Sequence, residues 1–412
     1  MERREFLRAA AVLAAGAMLP ARVARAQRAR PSLADTFGDL PSHFAFEYYP
    51  WYAMDPVRHW DQYDRRPPVD LASNYMPLLG AYDSRSTAVM EQHARWIAES
   101  GAGAINVSWW GRGSDVDALV PSLMDVMRAH GIQVAFHIEP YDDGHAAAYA
   151  SDVEYLIRQY GDGRHWDCML LLQNADGSSG PVFKSFRTIL PAQSIDCHGV
   201  TTAVADYVGD AVWRRQTDAL RSTFAHAFDR VTLLADSLDV ARTQAAGFDG
   251  IAIYDNFVAP SSWRGHAAAC SDRGLLFSFN VNCGYDGIAP RSAPDPQACP
   301  SSPPAFQPGG ATYDWAAAAD RELARAASVS RIEESFATTI ELQTDRTLVD
   351  AQRGFLLVYI NSFNEWHEGD QFEPMKSADQ LTPAEGAIGY HDPADGAYRL
   401  ATLQRLLTQA ID

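Results

Sequence analysis

Several sequence patterns that mark common classes of protein are missing from this chain. Beyond its N-terminal segment it has no run of about 18 or more apolar residues, so we predict no membrane span. The Gly-x-Gly-x-x-Gly, P-loop and Gly-x-Ser-x-Gly patterns are absent, which argues against a dinucleotide site, a phosphate-binding loop and a serine hydrolase. No His-x-x-x-His or His-x-His pair is present, so we predict no metal site and no cofactor.

Cysteine is scarce, and its spacing suggests no ligand set. The chain has five cysteines, an odd number, without a Cys-x-x-Cys or zinc-like spacing. Most of them are predicted to be small core residues. A bridge between Cys283 and Cys299 would close a short loop, and export from the cytoplasm would permit it.

Basic residues are in the minority. The chain has 34 Lys and Arg against 52 Asp and Glu, a formal net charge of −18. Such a surface repels nucleic acid and anionic lipid, so we predict no nucleic-acid partner. An uncharged oligo- or polysaccharide remains compatible with this charge. Ten Trp residues favour carbohydrate binding, although a large core also uses Trp.

The first 26 residues are predicted to be an export signal. Arg3-Arg4-Glu5-Phe6-Leu7 precedes an Ala/Leu-rich stretch that ends in Ala24-Arg25-Ala26. This is the order of a secretory signal, with a basic start, an apolar run and a small-x-small cleavage site. The paired arginines resemble a bacterial twin-arginine signal. We expect cleavage before Gln27 and a periplasmic or secreted location, with an ordinary N-terminal helix as the alternative.

Residues 27–412 are predicted to form a single α/β domain. From residue 44 onward, apolar runs alternate with helical patterns. The predicted strands are 44–49, 104–108, 133–138, 168–173, 231–235, 250–254, 275–281 and 355–360. The main predicted helices are 86–100, 117–130, 146–160, 211–228, 328–342 and 398–411. Eight strand–helix units predict a (β/α)8 TIM barrel with extended loops, and a doubly wound open sheet is the alternative. Residues 284–313, rich in Pro, Gly, Ser and Ala, predict a long loop.

Two acids follow the last predicted strand. The apolar run 355–360 is typical of a strand that is buried on both faces, and polar chemistry begins directly after it. Glu365 and Glu368 lie three residues apart on either side of Trp366. Two surface-loop acids are the plain interpretation. Because catalytic groups collect at the carboxyl ends of barrel strands, we instead predict a catalytic carboxylate pair beside a sugar-stacking ring.

Aromatic and amide residues also follow the other predicted strands. In a barrel these strand ends converge on one face, where they would form a sugar-binding cleft. Strand alternation turns about half of such residues away from the cleft, and Trp109 and Trp110 cannot both face it. A structural salt bridge is the alternative for Glu139. The predicted substrate-binding residues are Tyr49, Trp51, Trp109, Trp110, His137, Glu139, Tyr141, Tyr254, Asn282, Tyr285, Asn364 and Trp366.

These motifs resemble a known family. Residues 361–374, Asn-Ser-Phe-Asn-Glu-Trp-His-Glu-Gly-Asp-Gln-Phe-Glu-Pro, resemble the signature of glycoside hydrolase family 99, the endo-acting α-mannosidases and α-mannanases. Three further stretches agree with it in order: Tyr-Tyr-Pro-Trp-Tyr (48–52), Val-Ser-Trp-Trp-Gly (107–111) and Phe-His-Ile-Glu-Pro-Tyr (136–141). The resemblance spans residues 44–375, is strongest at its two ends, and independently implies a (β/α)8 barrel.

The resemblance also implies roles for individual residues. Family members retain anomeric configuration and are thought to work through a 1,2-anhydro-sugar intermediate. Carried to matching positions, Glu365 would deprotonate the sugar 2-hydroxyl and Glu368 would act as general acid/base. Glu139 would bind a sugar hydroxyl. The residues implied to line the −1 and −2 subsites are Trp109 or Trp110, Tyr49 and Tyr254.

The chain also departs from the family, which leaves its substrate open. Phe183-Lys184-Ser185-Phe186 stands where the family has Tyr-Asp-Ser-Tyr, Asn282-Cys283-Gly284-Tyr285 replaces Gly-Pro-Gly-Tyr, and residues 290–350 match poorly. The favoured hypothesis is an exported, retaining endo-glycosidase acting on α-mannosides or related glycans. The alternatives are a related enzyme of surface-polysaccharide synthesis or modification, and a glycan-binding protein without turnover.

Overall fold

The computed structural model describes residues 32–142, 144–163, 166–291 and 312–411. The predicted export signal, residues 1–26, and Cys299 lie outside these ranges. Within them, no helix is long and apolar enough to cross a membrane. Cys168, Cys270 and Cys283 are free and buried, whereas Cys197 is disulfide-bonded. The expected bridge at Cys283 is therefore wrong, and burial raises the pKa of this thiol to about 12.

Strands and helices alternate along the described ranges. The strands are Phe44–Tyr48 (β1), Ala53–Met54 (β2), Val57–Arg58 (β3), Ala104–Trp109 (β4), Gln133–Ile138 (β5), Leu171–Gln173 (β6), Ser179–Ser185 (β7), Gln193–Ile195 (β8), Thr201–Ala203 (β9), Thr232–Ala235 (β10), Gly250–Ala252 (β11), Leu276–Ser278 (β12), Val281–Asn282 (β13) and Val358–Asn361 (β14). The α-helices are Leu33–Thr36 (α1), Thr87–Ser100 (α2), Asp115–Ala129 (α3), His145–Leu156 (α4), Asp210–Phe224 (α5), Val240–Ala245 (α6), Pro260–Asp272 (α7), Ala318–Thr344 (α8), Val349–Arg353 (α9), Pro383–Gly386 (α10) and Tyr398–Ile411 (α11).

The main sheet is a closed (β/α)8 barrel. Its strands follow the order β12-β11-β10-β7-β5-β4-β1-β14-β13, and every neighbouring pair is parallel. The two ends of this order, β12 and β13, are consecutive in the chain and separated only by Phe279 and Asn280. Residues 276–282 therefore fill one strand position that bonds β11 at its start and β14 at its end. This closure excludes the open-sheet alternative.

The fourth barrel strand differs from the prediction. Residues 168–173 were the predicted strand, but the barrel position is taken by β7, and β6 pairs with β7 as an antiparallel hairpin. Residues 168–173 are the more apolar of the two segments, but apolar periodicity alone does not tell which short segment joins the parallel sheet.

Two helices also differ from the sequence-based prediction. Helix α7 is absent from it, because Ser261, Ser262 and Gly265 lower the helix propensity of that segment. Helix α8 begins ten residues before its predicted start at Ser328, at Ala318.

Strand alternation sorts the side chains into a helix-facing layer and a barrel interior. Phe44, Phe46, Ile105 and Phe136 belong to the large core cluster shared with the helices. The alternate residues of the same strands point into the barrel. A small-residue layer of Ala45, Ala104, Ala135 and Val182 belongs to a separate interior cluster. Strands buried on both faces explain why these runs read as continuous apolar segments.

A polar cluster lies above the small-residue layer, toward the carboxyl ends of the strands. Glu47 Oε1 accepts a hydrogen bond from Lys184 Nζ at 2.6 Å, and Oε2 accepts from Asn106 Nδ2 at 2.9 Å and from His137 Nδ1 at 3.0 Å. All four side chains are at most 1% exposed. Burial by itself would raise the pKa of Glu47, but Lys184 and His137 hold it at about 2. The Glu47 charge is therefore retained inside the barrel and ties β1, β4, β5 and β7 together.

We expect Lys184→Met to lower the free energy of unfolding by about 3–5 kcal/mol, because the Glu47 charge would lose its closest cation. Urea denaturation at neutral pH measures this loss. The double variant Glu47→Gln/Lys184→Met removes both charges and should recover most of it. A single variant within about 1 kcal/mol of the wild type would show that the pair is not a structural element.

Candidate active site

The loop that follows β14 carries the acid pair and is folded back on itself. Ser362 Oγ accepts a hydrogen bond from the Glu365 backbone N at 2.8 Å and donates one to Asp370 Oδ1 at 2.7 Å. The backbone N of Phe363 donates to the Glu47 carbonyl at 2.8 Å. These bonds hold the loop against the end of β1, so both glutamates lie at the carboxyl face of the barrel.

Glu365 is 4% exposed and lies beside a histidine. Its Oε1 accepts from the His367 backbone N at 3.1 Å and lies 3.3 Å from His367 Nδ1. His367 Nε2 donates to the His59 carbonyl at 2.8 Å, so this ring nitrogen carries a proton. Burial by itself would lower the pKa of His367, but Glu365 raises it above its ordinary value.

The surroundings of Glu368, in contrast, disfavour its charged form. Burial, then the charges of Asp370 and Glu365, raise the pKa of Glu368 well above its ordinary value. Tyr254 Oη lies 3.2 Å from Glu368 Oε2 and donates to it, which opposes this rise. The two glutamates therefore lie in different electrostatic surroundings, Glu365 beside a histidine and Glu368 beside other carboxyl groups, and such a difference is what acid/base catalysis by a carboxyl pair requires.

Asp370 is a third buried carboxyl that the sequence analysis did not single out. It accepts from Ser362 Oγ at 2.7 Å and from Asn256 Nδ2 at 2.7 Å. Burial, opposed by these two donors, raises the pKa of Asp370 to about 7. Its position two residues after Glu368 was visible in the sequence. Only the fold shows that it lies behind the acid pair and acts on Glu368.

Six predicted residues surround the acid pair. Tyr254 contacts Glu368, and the Tyr49 hydroxyl lies close to Tyr254, Glu139 and Glu365. Trp51 lies 6.1 Å from Trp110 and 6.4 Å from His367 between ring centroids. Trp110 is 38% exposed, as a sugar-stacking ring must be. The six are Tyr49, Trp51, Trp110, His137, Glu139 and Tyr254.

His137 and Glu139 extend the polar floor of the cleft. His137 Nε2 is buried and has no hydrogen-bond partner among the described residues, although Nδ1 is held by Glu47. Glu139 accepts from Ser108 Oγ at 2.8 Å, and the same hydroxyl accepts from Trp110 Nε1 at 3.0 Å. Burial raises the pKa of Glu139, and His137 opposes that rise. Among the residues that the structure describes, Glu139 forms no ion pair, so the salt-bridge alternative finds no support there.

Two of the predicted tryptophans lie in the core instead. Trp109 is fully buried on the helix-facing side of β4, where its Nε1 donates to Asp117 Oδ1 at 2.8 Å. Alternation makes this unavoidable once Ser108 faces the barrel interior. Trp366 is also fully buried, and its Nε1 donates to Glu373 Oε2 at 3.0 Å. Neither ring is available to stack on a sugar.

Three polar residues predicted to bind substrate are engaged in holding loops together. Asn364 accepts from the Tyr49 backbone N at 2.8 Å and donates to the Tyr49 carbonyl at 3.0 Å. Asn282 is fully buried, and its Oδ1 accepts from Arg331 Nε at 2.9 Å. Tyr141 donates its hydroxyl proton to Asp152. These contacts position the cleft and leave no free polar group for a glycan at Asn364 or Tyr141.

Tyr285 lies on the other side of the acid pair. It is half-buried, and its ring centroid is 4.7 Å from that of Phe257, a residue not singled out from the sequence. Burial, then Glu368, raises the pKa of Tyr285.

A cavity of about 590 Å³ adjoins the cleft on the Trp110 side. It lies between the β2–β3 hairpin and the start of α3 and shares Trp51, His59 and Trp110 with the cleft. The acid pair does not line it. Its walls are mostly apolar, which suits the carbon faces of sugar rings. Within the described ranges, no group of three or more His, Cys, Asp or Glu side chains could hold a metal ion.

Comparison with known proteins finds one family and several relatives. The family model for glycosyl hydrolase family 99 matches residues 40–167. The mouse glycoprotein endo-alpha-1,2-mannosidase-like protein is 28% identical over 379 residues, which cover 83% of this chain and 71% of the mouse protein. The mouse glycoprotein endo-alpha-1,2-mannosidase is 25% identical, with 81% and 69% covered.

A solved structure shares the fold. The GH99 endo-alpha-mannosidase from Bacteroides thetaiotaomicron superimposes with a TM-score of 0.63 at 20% identity, covering 90% of this chain and 97% of that one. The family match and these relatives indicate that the protein is a glycosidase. Its sequence is similar to glycosyl hydrolase family 99 over residues 40–167, and its fold is similar to that of the Bacteroides structure.

We expect Tyr254→Phe to move the basic limb of the pH profile of kcat/KM to higher pH. The Tyr254 hydroxyl stabilises the ionised form of Glu368, so its removal raises the pKa of Glu368 further and extends the range in which the acid keeps its proton. Tyr149→Phe, which removes a buried hydroxyl bonded to Ser185, is the matched control. A limb that stays in place or moves to lower pH would contradict this assignment.

Proposed function

We propose that the protein is an exported, retaining, endo-acting glycosidase that cleaves α-mannosidic or related glycans through a 1,2-anhydro-sugar intermediate. The observation that carries the proposal is the different setting of the two acids. Glu365 Oε1 lies 3.3 Å from His367 Nδ1, whereas Glu368 is half-buried beside Asp370 and accepts a hydrogen bond from Tyr254. The names of the relatives, endo-alpha-1,2-mannosidase and endo-alpha-mannosidase, support an α-mannosidic substrate.

In the first step Glu365 removes the proton from the 2-hydroxyl of the sugar that is being cleaved. The resulting oxygen attacks the anomeric carbon, and the bond from that carbon to the leaving oxygen breaks. Glu368 gives its proton to the leaving oxygen, so the departing glycan leaves as a neutral alcohol. The His367 ring, whose Nδ1 lies 3.3 Å from Glu365 Oε1, positions this carboxyl for the step.

In the second step a water molecule opens the strained ring. Glu368, now a carboxylate, takes a proton from the water as its oxygen bonds to the anomeric carbon. The bond from that carbon to the 2-oxygen breaks, and Glu365 returns its proton to that oxygen. Two inversions at the anomeric carbon give net retention. Both glutamates finish in their starting protonation states, so the enzyme is ready for another cycle.

The surrounding side chains suit the reacting sugar. Glu139 and the unpartnered Nε2 of His137 offer polar contacts at the floor of the cleft. The exposed ring of Trp110 offers a stacking surface at its side, next to the apolar cavity. The cleft therefore has both the polar groups that orient hydroxyls and an aromatic face for the carbon side of a pyranose.

We expect Glu368→Gln to lower kcat/KM on an α-mannan or manno-oligosaccharide by about 10²–10⁴-fold, because the leaving oxygen loses its proton donor. Glu365→Gln should cause a comparable loss. Products are analysed by mass, and proton NMR at early times should show the α-anomer as the first product.

The control is Glu334→Gln, an exposed glutamate on α8, which should keep wild-type activity. Intact hydrolysis by the Glu368→Gln variant would refute the assigned role. A β-anomer as the first product would refute retention.

Export is tested separately with the full chain in a bacterial host. The twin-arginine signal predicts that Arg3→Lys/Arg4→Lys leaves unprocessed protein in the cytoplasm, whereas the wild type is recovered outside it with Gln27 as its first residue. Cell fractionation and mass spectrometry of the N-terminus give the result. Arg8→Lys, outside the arginine pair, should be exported normally. Unprocessed wild-type protein in the cytoplasm would contradict the proposed location.

A further inference from the structure

An exposed aromatic pair lies at the edge of the cleft. Phe257 is 42% exposed, and its ring packs only 4.7 Å from the ring of half-buried Tyr285, measured between centroids. A single exposed Phe is ordinary on a protein surface. Phe257 differs because a second ring supports it and because it belongs to the loop after β11, at the same barrel face as the acid pair.

The strand order places Phe257 and Tyr285 on the side of the cleft opposite the tryptophan side, which carries Trp51 and Trp110. In the barrel, β14 lies between β1 and β13. The loops after β1 and β4 carry Trp51 and Trp110. The loops after β13 and β11 carry Tyr285 and Phe257. The acid loop after β14 is therefore flanked by aromatic rings on both sides.

The two glutamates face different sides of this arrangement. Glu365 is held by His367, which bonds the His59 carbonyl on the tryptophan side. Glu368 accepts from Tyr254, three residues before Phe257. The backbone N of Asp286, next to Tyr285, donates to the Glu368 carbonyl at 2.8 Å. The proton donor to the leaving oxygen thus lies on the side of Phe257 and Tyr285.

We propose that Phe257, supported by Tyr285, is a stacking platform for the sugar residues on the leaving-group side of the scissile bond. This inference rests on the proposed function, in which Glu368 protonates the leaving oxygen. A flat, exposed ring suits the carbon face of a pyranose and needs no hydrogen-bond match. Phe257 would therefore set how strongly the enzyme prefers a glycan that continues beyond the cleavage point.

The test compares two substrates that share one α-mannosyl oligosaccharide on the non-leaving side. One carries two further mannose residues as its leaving group, and the other carries fluoride. We expect Phe257→Ala to lower the ratio of kcat/KM for the oligosaccharide to kcat/KM for the fluoride by about 3- to 12-fold, because only the oligosaccharide reaches the ring. Phe257→Trp should restore the ratio. Leu238→Ala removes a comparably exposed side chain and should leave the ratio unchanged.

An unchanged ratio in Phe257→Ala would overturn the proposal, since a general structural effect lowers both activities together. Failure of the wild-type protein to hydrolyse either substrate would count against the proposed function instead. In that case calorimetric titration of the oligosaccharide into Glu368→Gln, with and without Phe257→Ala, still tests whether Phe257 contacts the glycan. Equal affinity in the two variants would refute it, and an affinity about 3- to 12-fold weaker would support it.

Discussion

The structure depends on a charge that is kept inside the barrel. Glu47 is held by Lys184, His137 and Asn106, so four neighbouring strands meet at one carboxylate. A buried carboxylate is tolerated only when cations and donors surround it. This cluster fills the level below the cleft. It fixes the ring of His137 and leaves Nε2 directed away from Glu47. The Glu47 carbonyl also accepts a hydrogen bond from the Phe363 backbone N, which joins β1 to the acid loop.

Above this cluster, burial acts on carboxyl groups that have few cations beside them. Several carboxyl groups lie close together with few cations, so burial and mutual repulsion keep protons on some of them. Burial and the neighbouring carboxyl charges raise the pKa of both Glu368 and Asp370, whereas Glu365 has His367 as an ion-pair partner. Two glutamates three residues apart thus have different electrostatic surroundings. The difference arises from the loops packed around them, because the side chains are chemically identical.

The cleft that results has two unlike walls. On the side of the β1 and β4 loops, Trp51 and Trp110 adjoin an apolar cavity. On the side of the β11 and β13 loops, Phe257 and Tyr285 form an open aromatic edge. Several predicted residues serve this geometry indirectly. Asn364 joins the acid loop to the β1 loop, and Asn282 is bonded to Arg331. Such contacts explain why polar residues cluster at strand ends without all of them touching substrate.

Local patterns in the sequence were enough to predict the barrel, the position of the acid pair and the family resemblance, because buried parallel strands and a contiguous polar loop both leave such patterns. Helix α11 matches its predicted bounds, and β5 does too. Tertiary packing selected Ser179–Ser185 as the fourth strand over the more apolar residues 168–173, because Lys184 on that strand pairs with the buried Glu47. It also decided that Trp109 and Trp366 are buried while Trp110 is open. Asp370, Lys184 and Phe257 gained their roles from residues distant in the chain, and no local pattern encodes such proximity.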